Sequence, residues 1–367
     1  MSTPHQSARR RVALVGAGVI GRHHGRVLTQ LADRLELVAV VDPHADRAQQ
    51  IVDDHGGRPY ASLADAFAGT DVDLVVVCTP TGTHGRVAIQ ALEAGKDVII
   101  EKPAEITVER TDEIIAAQEA SGRLVTVISQ HRFDPATEVT VAAIADGELG
   151  RLTSGIASID WWRGQTYYDS GDWRGTWELD GGGALMNQGV HTVDLLVATM
   201  GRPVEVFAYT GTLAHDRIEV EDVAVGVVRF SSGALGVLHA TTAAYPGMSA
   251  RLQVHGDKGS VIIDSDVLSF IHRTPTDTTA DERAYGESDK TINQIEDFPE
   301  AAGASLSAGA DPGQLGSTAH RRQYDNFLAA LDGAQELRVD LRTNRQAIAI
   351  ITGVYESART GRPVTLT

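Results

Sequence analysis

The stretch VALVGAGVIG, from Val12 to Gly21, decides the fold of the N-terminal half of the chain. Its first four residues form an apolar run that is typical of a buried parallel strand. Gly16, Gly18 and Gly21 follow in the GxGxxG spacing at the expected start of a helix. These glycines permit a tight turn, close approach of a pyrophosphate and close packing of helix on strand. The sequence therefore predicts a dinucleotide-binding unit, with the phosphates held at the helix N-terminus.

A second predicted strand, Leu35–Val41, ends at Asp42, about 20 residues beyond the glycines. An acidic side chain at this point can accept hydrogen bonds from the adenosine ribose hydroxyls. Its charge would repel a 2′-phosphate, so the pattern favours NAD as the cofactor. His44 and Arg47 lie nearby, which leaves NADP as the less favoured alternative.

Predicted strands and helices continue to alternate as far as Leu124–Ile128, which indicates a parallel, doubly wound sheet. In such sheets ligands bind beyond the carboxyl ends of the strands. Polar groups follow the ends of three predicted strands, near Thr79, Glu101 and Gln130. The expected cofactor site comprises Gly16, Gly18, Val19, Ile20, Gly21, Asp42, Thr79, Pro80, Thr81, His84, Glu101, Lys102 and Gln130.

The second half changes from alternating helices and strands to runs of strands between Leu152 and His272, punctuated by glycines. This pattern predicts an α/β Rossmann domain over residues 1–130 and an α+β domain over residues 131–367. The second domain is expected to hold a large, mainly antiparallel sheet and a helix near 341–357 that packs back towards the first domain. Residues 273–317 are polar, and we expect a surface excursion or subunit arm that is partly mobile.

The segment DGGGALMNQGVHTVD, from Asp180 to Asp194, is the second informative stretch. Three glycines lead into an expected helix on which Asn187, His191 and Asp194 are spaced by four and then three residues, and so share one face. The pattern suggests a site on a rigid element with backbone accessible to a ligand. A buried helix whose polar residues only bond each other is the alternative.

All four tryptophans fall between Trp161 and Trp177, interleaved with arginine and tyrosine. Aromatic faces and guanidinium groups suit contact with sugar rings, hydroxyls and phosphates, although a hydrophobic plug beneath the sheet is the alternative. We expect a substrate rim here. The expected substrate-binding residues are Lys102, His131, Arg132, Trp162, Arg163, Tyr167, Trp173, Arg174, Asn187 and His191.

Composition excludes several function classes. The formal net charge of −17 argues against a nucleic-acid partner, because such binding relies on clustered cations. The single cysteine, Cys78, forbids an internal disulfide and is expected to be an inert core thiol. We find no metal cluster of sensible spacing, no membrane-spanning run and no convincing export signal near Arg9, so a cytoplasmic protein is expected.

GAGVIG with Asp42, CTPTGTH at Cys78–His84, EKP at Glu101–Pro103 and GGGALMNQGVHTVD together resemble the glucose-fructose oxidoreductase / inositol dehydrogenase / rhizopine catabolism family (Gfo/Idh/MocA). The resemblance covers nearly the whole chain. It implies NAD-dependent chemistry on a carbohydrate or cyclitol. It also implies a homodimer or homotetramer formed through the C-terminal sheet.

The resemblance further implies that Lys102 and His191 form the acid–base pair. Partial burial beside a cationic nicotinamide would lower the pKa of Lys102 towards neutrality, and histidine titrates in the useful range. A salt bridge from Lys102 to Glu101 or Glu105 is the structural alternative. Many family members carry aspartate where this chain has Asn187, and an amide cannot accept a proton. That departure places the burden on Lys102 and His191.

Three functions follow. The leading hypothesis is a dehydrogenase that transfers hydride between NAD and a secondary alcohol of a sugar, glycoside, nucleotide-sugar or cyclitol, with C3 of a pyranose as a candidate position. The second is a hydrolase or lyase that oxidises C3 transiently and retains its cofactor. The third is a non-catalytic dinucleotide-binding regulator, against which the intact Lys102 and His191 argue.

Overall fold

The computed structural model describes residues 9–274, 293–303 and 316–367. The chain divides into two compact units, the first comprising residues up to 128 and 313–345, the second residues 129–312 and 346–367. The sequence predicts a boundary at residue 130. The structure differs from the expected second domain, because residues 313–345 return to the first unit. Residues 275–292 and 304–315 of the expected excursion lie outside the described residues.

The first unit is built on a six-stranded parallel sheet in the order β3-β2-β1-β4-β5-β6, the doubly wound order of a Rossmann domain. Its strands are β1 (Arg10–Val15), β2 (Leu35–Val41), β3 (Arg58–Tyr60), β4 (Leu74–Val77), β5 (Asp97–Ile100) and β6 (Val125–Val127). Its helices are α1 (Val19–Gln30), α2 (Ala45–His55), α3 (Leu63–Gly69), α4 (His84–Glu93), α5 (Val108–Ser121) and α9 (Thr318–Leu331).

Alternate residues of the central strand explain why both faces of this sheet are covered. Ala13 and Val15 of β1 pack into one apolar cluster, whereas Val12 and Leu14 pack into another. Successive side chains of a strand point to opposite faces, so an uninterrupted apolar run demands a core on each side. This arrangement leaves the polar side chains at the carboxyl ends of the strands.

The second unit is built on an eight-stranded sheet in the order β13-β12-β11-β7-β10-β9-β8-β14, in which β7 and β10 pair in parallel and the other neighbours are antiparallel. Its strands are β7 (Leu152–Asp160), β8 (Pro203–Gly211), β9 (Val223–Phe230), β10 (Leu235–Thr241), β11 (Ala250–Gly256), β12 (Ser260–Asp264), β13 (Val267–His272) and β14 (Val364–Thr365). Its helices are α6 (Pro135–Ala145), α7 (Gln165–Tyr168) and α8 (Val190–Met200).

One face of this sheet packs on α8. A Cβ at Gly155 of β7 would lie 2.7 Å from Leu196 and 3.0 Å from Met200, so glycine allows the helix to approach closely. On β9 buried and exposed residues alternate, which leaves the other face open.

The last helix, α10 (Leu341–Thr360), passes from the first unit to the second after Arg345. Leu341 belongs to an apolar cluster of the first unit, and Arg345 pairs with Asp112 of α5. In the second unit, Ser357 of α10 accepts a hydrogen bond from the Ala208 amide of β8.

Candidate functional site

The glycine loop between β1 and α1 uses each of its glycines differently. Gly16 has φ of +99°, and a Cβ there would lie 2.4 Å from the carbonyl oxygen of Cys78. A Cβ at Gly21 would lie 2.0 Å from the Gly16 oxygen. Gly18 is the N-cap of α1, and a Cβ there would have no atom within 4 Å. No side chain caps this end of the helix. Two glycines therefore serve packing, and the middle one faces a cradle that a dinucleotide phosphate fits.

Asp42 braces this loop. Its side chain is buried, and Oδ2 accepts a hydrogen bond from the Ala17 amide at 2.8 Å. Oδ1 accepts from the His44 amide at the same distance. A carboxylate oxygen has capacity for further donors, so these bonds are compatible with a ribose contact. The sequence pattern did not reveal this loop contact because Ala17 carries no distinctive side chain. Val19 and Ile20 follow in α1, with Val19 half-exposed.

His84 ties together two loops at the carboxyl edge of the parallel sheet. Its Nε2 lies 2.8 Å from the carbonyl oxygen of Thr79, and its Nδ1 lies 2.8 Å from that of Pro103. Burial lowers the pKa of this imidazole. Pro80 and Thr81 complete the first loop, and the Lys102–Pro103 peptide is cis. The two ring nitrogens of His84, expected at the cofactor, are thus engaged by the chain itself.

Glu101 lies in a buried network that sequence reasoning missed. His24 Nε2 is 2.8 Å from its Oε1, and the Lys102 amide donates to its Oε2 at 3.0 Å. His320 Nε2 lies 3.7 Å away, and Tyr324 bonds the other nitrogen of His24. Burial raises the pKa of the Glu101 carboxyl, but the two histidines outweigh it and hold the pKa well below its usual range. The only sequence signal was the pair of histidines following the third glycine.

Glu101 and Glu105, the two possible salt-bridge partners of Lys102, both accept hydrogen bonds from other groups. Glu101 is bonded as described above, and Glu105 accepts from the amides of Gly85 and Ile106. Lys102 itself is half-buried.

In the second unit the glycine-rich segment opens a π-helix, Ala184–Gly189, that leads into α8. The expectation of α-helical geometry from Asn187 onward is therefore wrong for its first turn. Glu221 holds this turn, because its carboxylate accepts from the amides of Gly183 and Leu185 at 2.8 Å each. A Cβ at Gly183 would lie 1.7 Å from the Glu221 carbonyl oxygen, which explains the glycine.

The three polar residues expected on one helix face have separate partners. Asn187 Nδ2 donates to Asp180 Oδ1 at 2.8 Å. Asp194 is buried and accepts two hydrogen bonds of 2.7 Å from Arg132, which was expected to bind substrate. His191 is half-buried and lies edge-to-face against His131. Asp194 thus bonds a residue outside the helix, which is not the contact expected of a helix whose polar residues only bond each other, and His191 is partly exposed.

His131 lies between two carboxylates. Its Nδ1 is 2.8 Å from Asp134 and 3.0 Å from Asp266, which belongs to the turn between β12 and β13. Burial lowers the pKa of His131, but the charges of Asp266 and Asp134 outweigh burial and raise it well above its usual value. Gln130, expected at the cofactor, is buried with its amide 3.2 Å from the other ring nitrogen.

The arginine and aromatic residues of the expected rim stack on one another. The guanidinium of Arg163 lies 5.1 Å from the ring centre of Trp161 and 5.6 Å from that of Tyr167. Arg174 lies 4.3 Å from Tyr167 and 4.6 Å from Trp173. These distances are those of cation–π contacts, and they combine planar faces with positive charge. Trp162 packs separately, edge-to-face on Tyr245.

The fold brings together histidine–carboxylate groups that no sequence spacing indicated. Among the described residues, two groups carry the donor types that a divalent cation uses. One is His24, Glu101 and His320, and the other is His131, Asp134 and Asp266. The contact of 2.8 Å within each group suits a direct hydrogen bond, since tetrahedral zinc ligands lie roughly 3.3 Å apart. No helix in the described ranges has the length and apolarity to cross a membrane.

Comparison with known proteins places this geometry in context. Residues 10–129 match the oxidoreductase family model with an NAD-binding Rossmann fold, and residues 139–262 match the GFO/IDH/MocA C-terminal domain. The WlbA dehydrogenase of Chromobacterium violaceum, solved with NADH and UDP-GlcNAcA, is 33% identical with a TM-score of 0.85, covering 100% of this chain and 99% of that one.

Two further relatives extend the comparison. The Bordetella pertussis WlbA dehydrogenase, also solved with NADH and UDP-GlcNAcA, is 32% identical over 99% of both chains, with a TM-score of 0.85. The scyllo-inositol 2-dehydrogenase (NAD(+)) of Bacillus subtilis is 28% identical over 69% of this chain and 73% of its own length.

Proposed function

The chain belongs to the Gfo/Idh/MocA family of oxidoreductases, and we propose that its substrate is a sugar acid linked to a nucleotide. It is an NAD-dependent oxidoreductase of the sugar and cyclitol class. The observation that carries the finer proposal is the similarity over the full length to two dehydrogenases that were solved with UDP-GlcNAcA. The proposed reaction oxidises a secondary alcohol of the pyranose, for which we favour the C3 hydroxyl.

The glycine loop supports NAD as the cofactor. Open space beside Gly18, uncapped amides of α1 and the buried carboxylate of Asp42 fit the phosphates and the adenosine ribose. The charge of Asp42 disfavours the 2′-phosphate of NADP. When bound, NAD would supply the hydride acceptor for oxidation of the carbinol carbon.

We assign the proton chemistry to Lys102 and His191. Oxidation of an alcohol releases the hydroxyl proton, which a base must take as the hydride leaves. Amines and imidazoles are both able to exchange a proton, and Lys102 is partly buried while His191 is partly exposed. Asn187 cannot accept it, and its amide nitrogen is already directed to Asp180. These observations support a two-residue acid–base arrangement.

The arginine and aromatic cluster supports an anionic substrate that carries planar groups. Two guanidinium groups, Arg163 and Arg174, flank Tyr167, with Trp161 and Trp173 beside them. Phosphates and carboxylates suit guanidinium donors, and a nucleobase or sugar ring suits the aromatic faces. An inositol, which is neutral, would make less use of this cluster.

We further propose that the protein works in the cytoplasm as a homo-oligomer assembled through the open face of the second sheet. Five large apolar residues are exposed on adjacent strands of this face, namely Tyr209, Val225, Val227, Leu235 and Val237. Strand pairing places Val227 opposite Val237, and Val225 opposite Tyr209. An apolar patch of this kind marks an interaction surface. Val227→Asp should shift the mass measured by light scattering towards that of the monomer, whereas an unchanged mass would contradict this interface.

The decisive experiment follows the absorbance of reduced nicotinamide during incubation with NAD or NADP. The panel comprises UDP-N-acetylglucosaminuronic acid, its non-acidic sugar nucleotide, free monosaccharides, glycosides and inositols. We expect reduction of NAD with the sugar acid nucleotide first. Activity on inositols alone would overturn the substrate assignment. Silence across the panel with NAD tightly retained would instead favour transient oxidation or a regulatory role.

A further inference from the structure

The 3-10 helical segment Gln130–Phe133 meets α8 at two points. Arg132 binds both oxygens of Asp194 at 2.7 Å, and both side chains are buried. The rings of His131 and His191 have centres 4.9 Å apart and planes at 86°. Since His131 precedes Arg132 and His191 lies one turn before Asp194, the ion pair sets the register in which the two imidazoles meet. The bidentate contact restrains that register, because it fixes both distance and direction.

Charge on the far side of His131 is arranged around Nδ1. Asp134, the N-cap of α6, and Asp266, in the turn between β12 and β13, both lie within 3.0 Å of this nitrogen. Carboxylates only accept hydrogen bonds, so Nδ1 of His131 must carry a proton to bond both of them. The charge of Asp266 is in turn favoured by the imidazole, which outweighs burial and lowers the pKa of this carboxyl.

The other ring nitrogen of His131 faces Gln130. The amide nitrogen of Gln130 lies 3.2 Å from Nε2, while Oε1 of the same amide is buried without a hydrogen-bond partner. A half-turn of the amide exchanges the two atoms and lets Oε1 accept a hydrogen bond from Nε2–H. Both ring nitrogens then donate, which is the bonding of an imidazolium. The groups facing His131 are thus Asp134, Asp266, Gln130 and His191.

The turn that presents Asp266 is held in an unfavourable backbone conformation. Ser265 and Asp266 have φ of 50° and 67°, the left-handed region that glycine or asparagine usually occupies in a two-residue hairpin turn. Neither residue is a glycine, so the turn retains a side chain at a cost in backbone energy. The carboxylate of Asp266 contacts His131, a contact that glycine at this position could not make.

We propose that His131 is a fixed imidazolium that positions the imidazole of His191, and that it is not a substrate ligand. Its ring nitrogens are engaged by Asp134, Asp266 and Gln130, so its contact with His191 is made by ring packing. The hairpin turn fixes Asp266, Asp266 holds His131, and His131 packs on His191. These contacts together limit the orientations of the His191 ring. This inference rests on the proposed role of His191.

The test combines histidine NMR with steady-state kinetics on the full-length protein. Uniform ¹⁵N labelling of the histidines reports the protonation of each ring, and the spectrum of His131→Gln identifies the signal of His131. We expect His131 to stay doubly protonated at about pH 8, above the ordinary histidine pKa of about 6.5. In Asp266→Asn, which keeps a residue suited to the left-handed turn, the midpoint of that signal should fall. A singly protonated His131 in the wild type would overturn the proposal.

Kinetics distinguish positioning from folding or substrate binding. With the panel substrate that gives most NADH, Asp266→Asn and His131→Gln should lower kcat on the order of tenfold to a hundredfold, with KM nearly unchanged. Asp264→Asn is the matched control, because this carboxylate lies in the same hairpin and pairs with Arg251. A rise in KM with constant kcat would make His131 a substrate ligand. Inactivity of His191→Ala beside fully active His131→Gln would refute only the inference, whereas full activity of His191→Ala would refute the acid–base role proposed for His191.

Discussion

Two histidine–carboxylate clusters, one in each unit, use similar residues to different ends. In the first unit, His24, Glu101 and His320 have side chains at most 5% exposed. In the second, the side chains of His131, Asp134 and Asp266 are 16–33% exposed. Each cluster adjoins a proposed acid–base residue, since Glu101 precedes Lys102 and His131 contacts His191.

The difference in burial predicts a difference in role. A buried charge must be paired and hydrogen-bonded. Removing one member of a buried cluster therefore leaves its partner buried without a hydrogen bond, which destabilises the fold. Burial also lowers the pKa of His23, beside His320, to about 3, which keeps this histidine neutral. A partly exposed cluster loses less when a partner is removed, because water can replace that partner. We therefore expect changes in the first cluster to affect stability, and changes in the second to affect turnover.

The largest expected effect comes from Lys102→Ala, beside the buried cluster. Removal of the amine should lower kcat at least about 10³-fold, within the range seen when acid–base groups are lost. The affinity for NAD, measured by calorimetry, should stay nearly constant because the glycine loop is untouched. Full turnover in this variant would exclude Lys102 from the chemistry.

Its neighbour should behave in the opposite way. Glu101→Ala removes the carboxylate that His24 and the Lys102 amide share, and should lower the free energy of unfolding by about 3–5 kcal/mol. Urea titration followed by circular dichroism measures the loss. Glu119→Ala is the control, because its exposed pair with Arg342 should contribute at most about 1 kcal/mol. Equal losses in both variants would contradict the distinction between buried and exposed pairs.

A third carboxylate sharpens the comparison because no histidine bonds it in the contacts described. Glu221 is buried, and burial raises its pKa to about 7 although two amides and Tyr355 donate to it. A raised pKa favours folding while the group is protonated, so this stabilisation is present below about pH 4.5 and is lost as pH rises through about 7.

The expected loss between about pH 5 and about pH 9 is roughly 3 kcal/mol, from the conversion of pKa shift to free energy. It should be absent in Glu221→Gln, which keeps the size and one acceptor of the side chain. Thermal unfolding across this pH range measures both variants. An identical pH dependence in the two proteins would assign the titration to another group.

The sequence predicts those parts of this molecule that repeat a local pattern. The apolar strand, the three glycines and Asp42 specify the Rossmann unit because all of them belong to one continuous βαβ segment. The strand-rich second unit also follows from periodicity. The parallel pairing of β7 with β10 could not be predicted, because pairing between distant strands leaves no local sequence signal.

Contacts over long sequence separations account for most of what the sequence missed. His24 meets Tyr324 across 300 residues, and His131 meets Asp266 from a hairpin turn. Neither pairing has a characteristic spacing, so histidines at these positions are indistinguishable from surface ones before folding. The π-helical geometry before α8 was not predicted for a related reason. It depends on Glu221, a residue that follows it by more than 30 positions.

The smallest expected effect separates stability from turnover at one turn. Ser265 and Asp266 both have positive φ, so glycine at either position relieves backbone strain and should raise the free energy of unfolding by up to about 1 kcal/mol. Only Asp266→Gly also removes a carboxylate from His131. We therefore expect Ser265→Gly to melt at or above the wild-type temperature with kcat retained, and Asp266→Gly, which also loses the ion pair with His131, to melt below Ser265→Gly with kcat lowered. If both variants retained kcat, the partly exposed cluster would have no part in turnover, and its difference from the buried cluster would be one of burial alone.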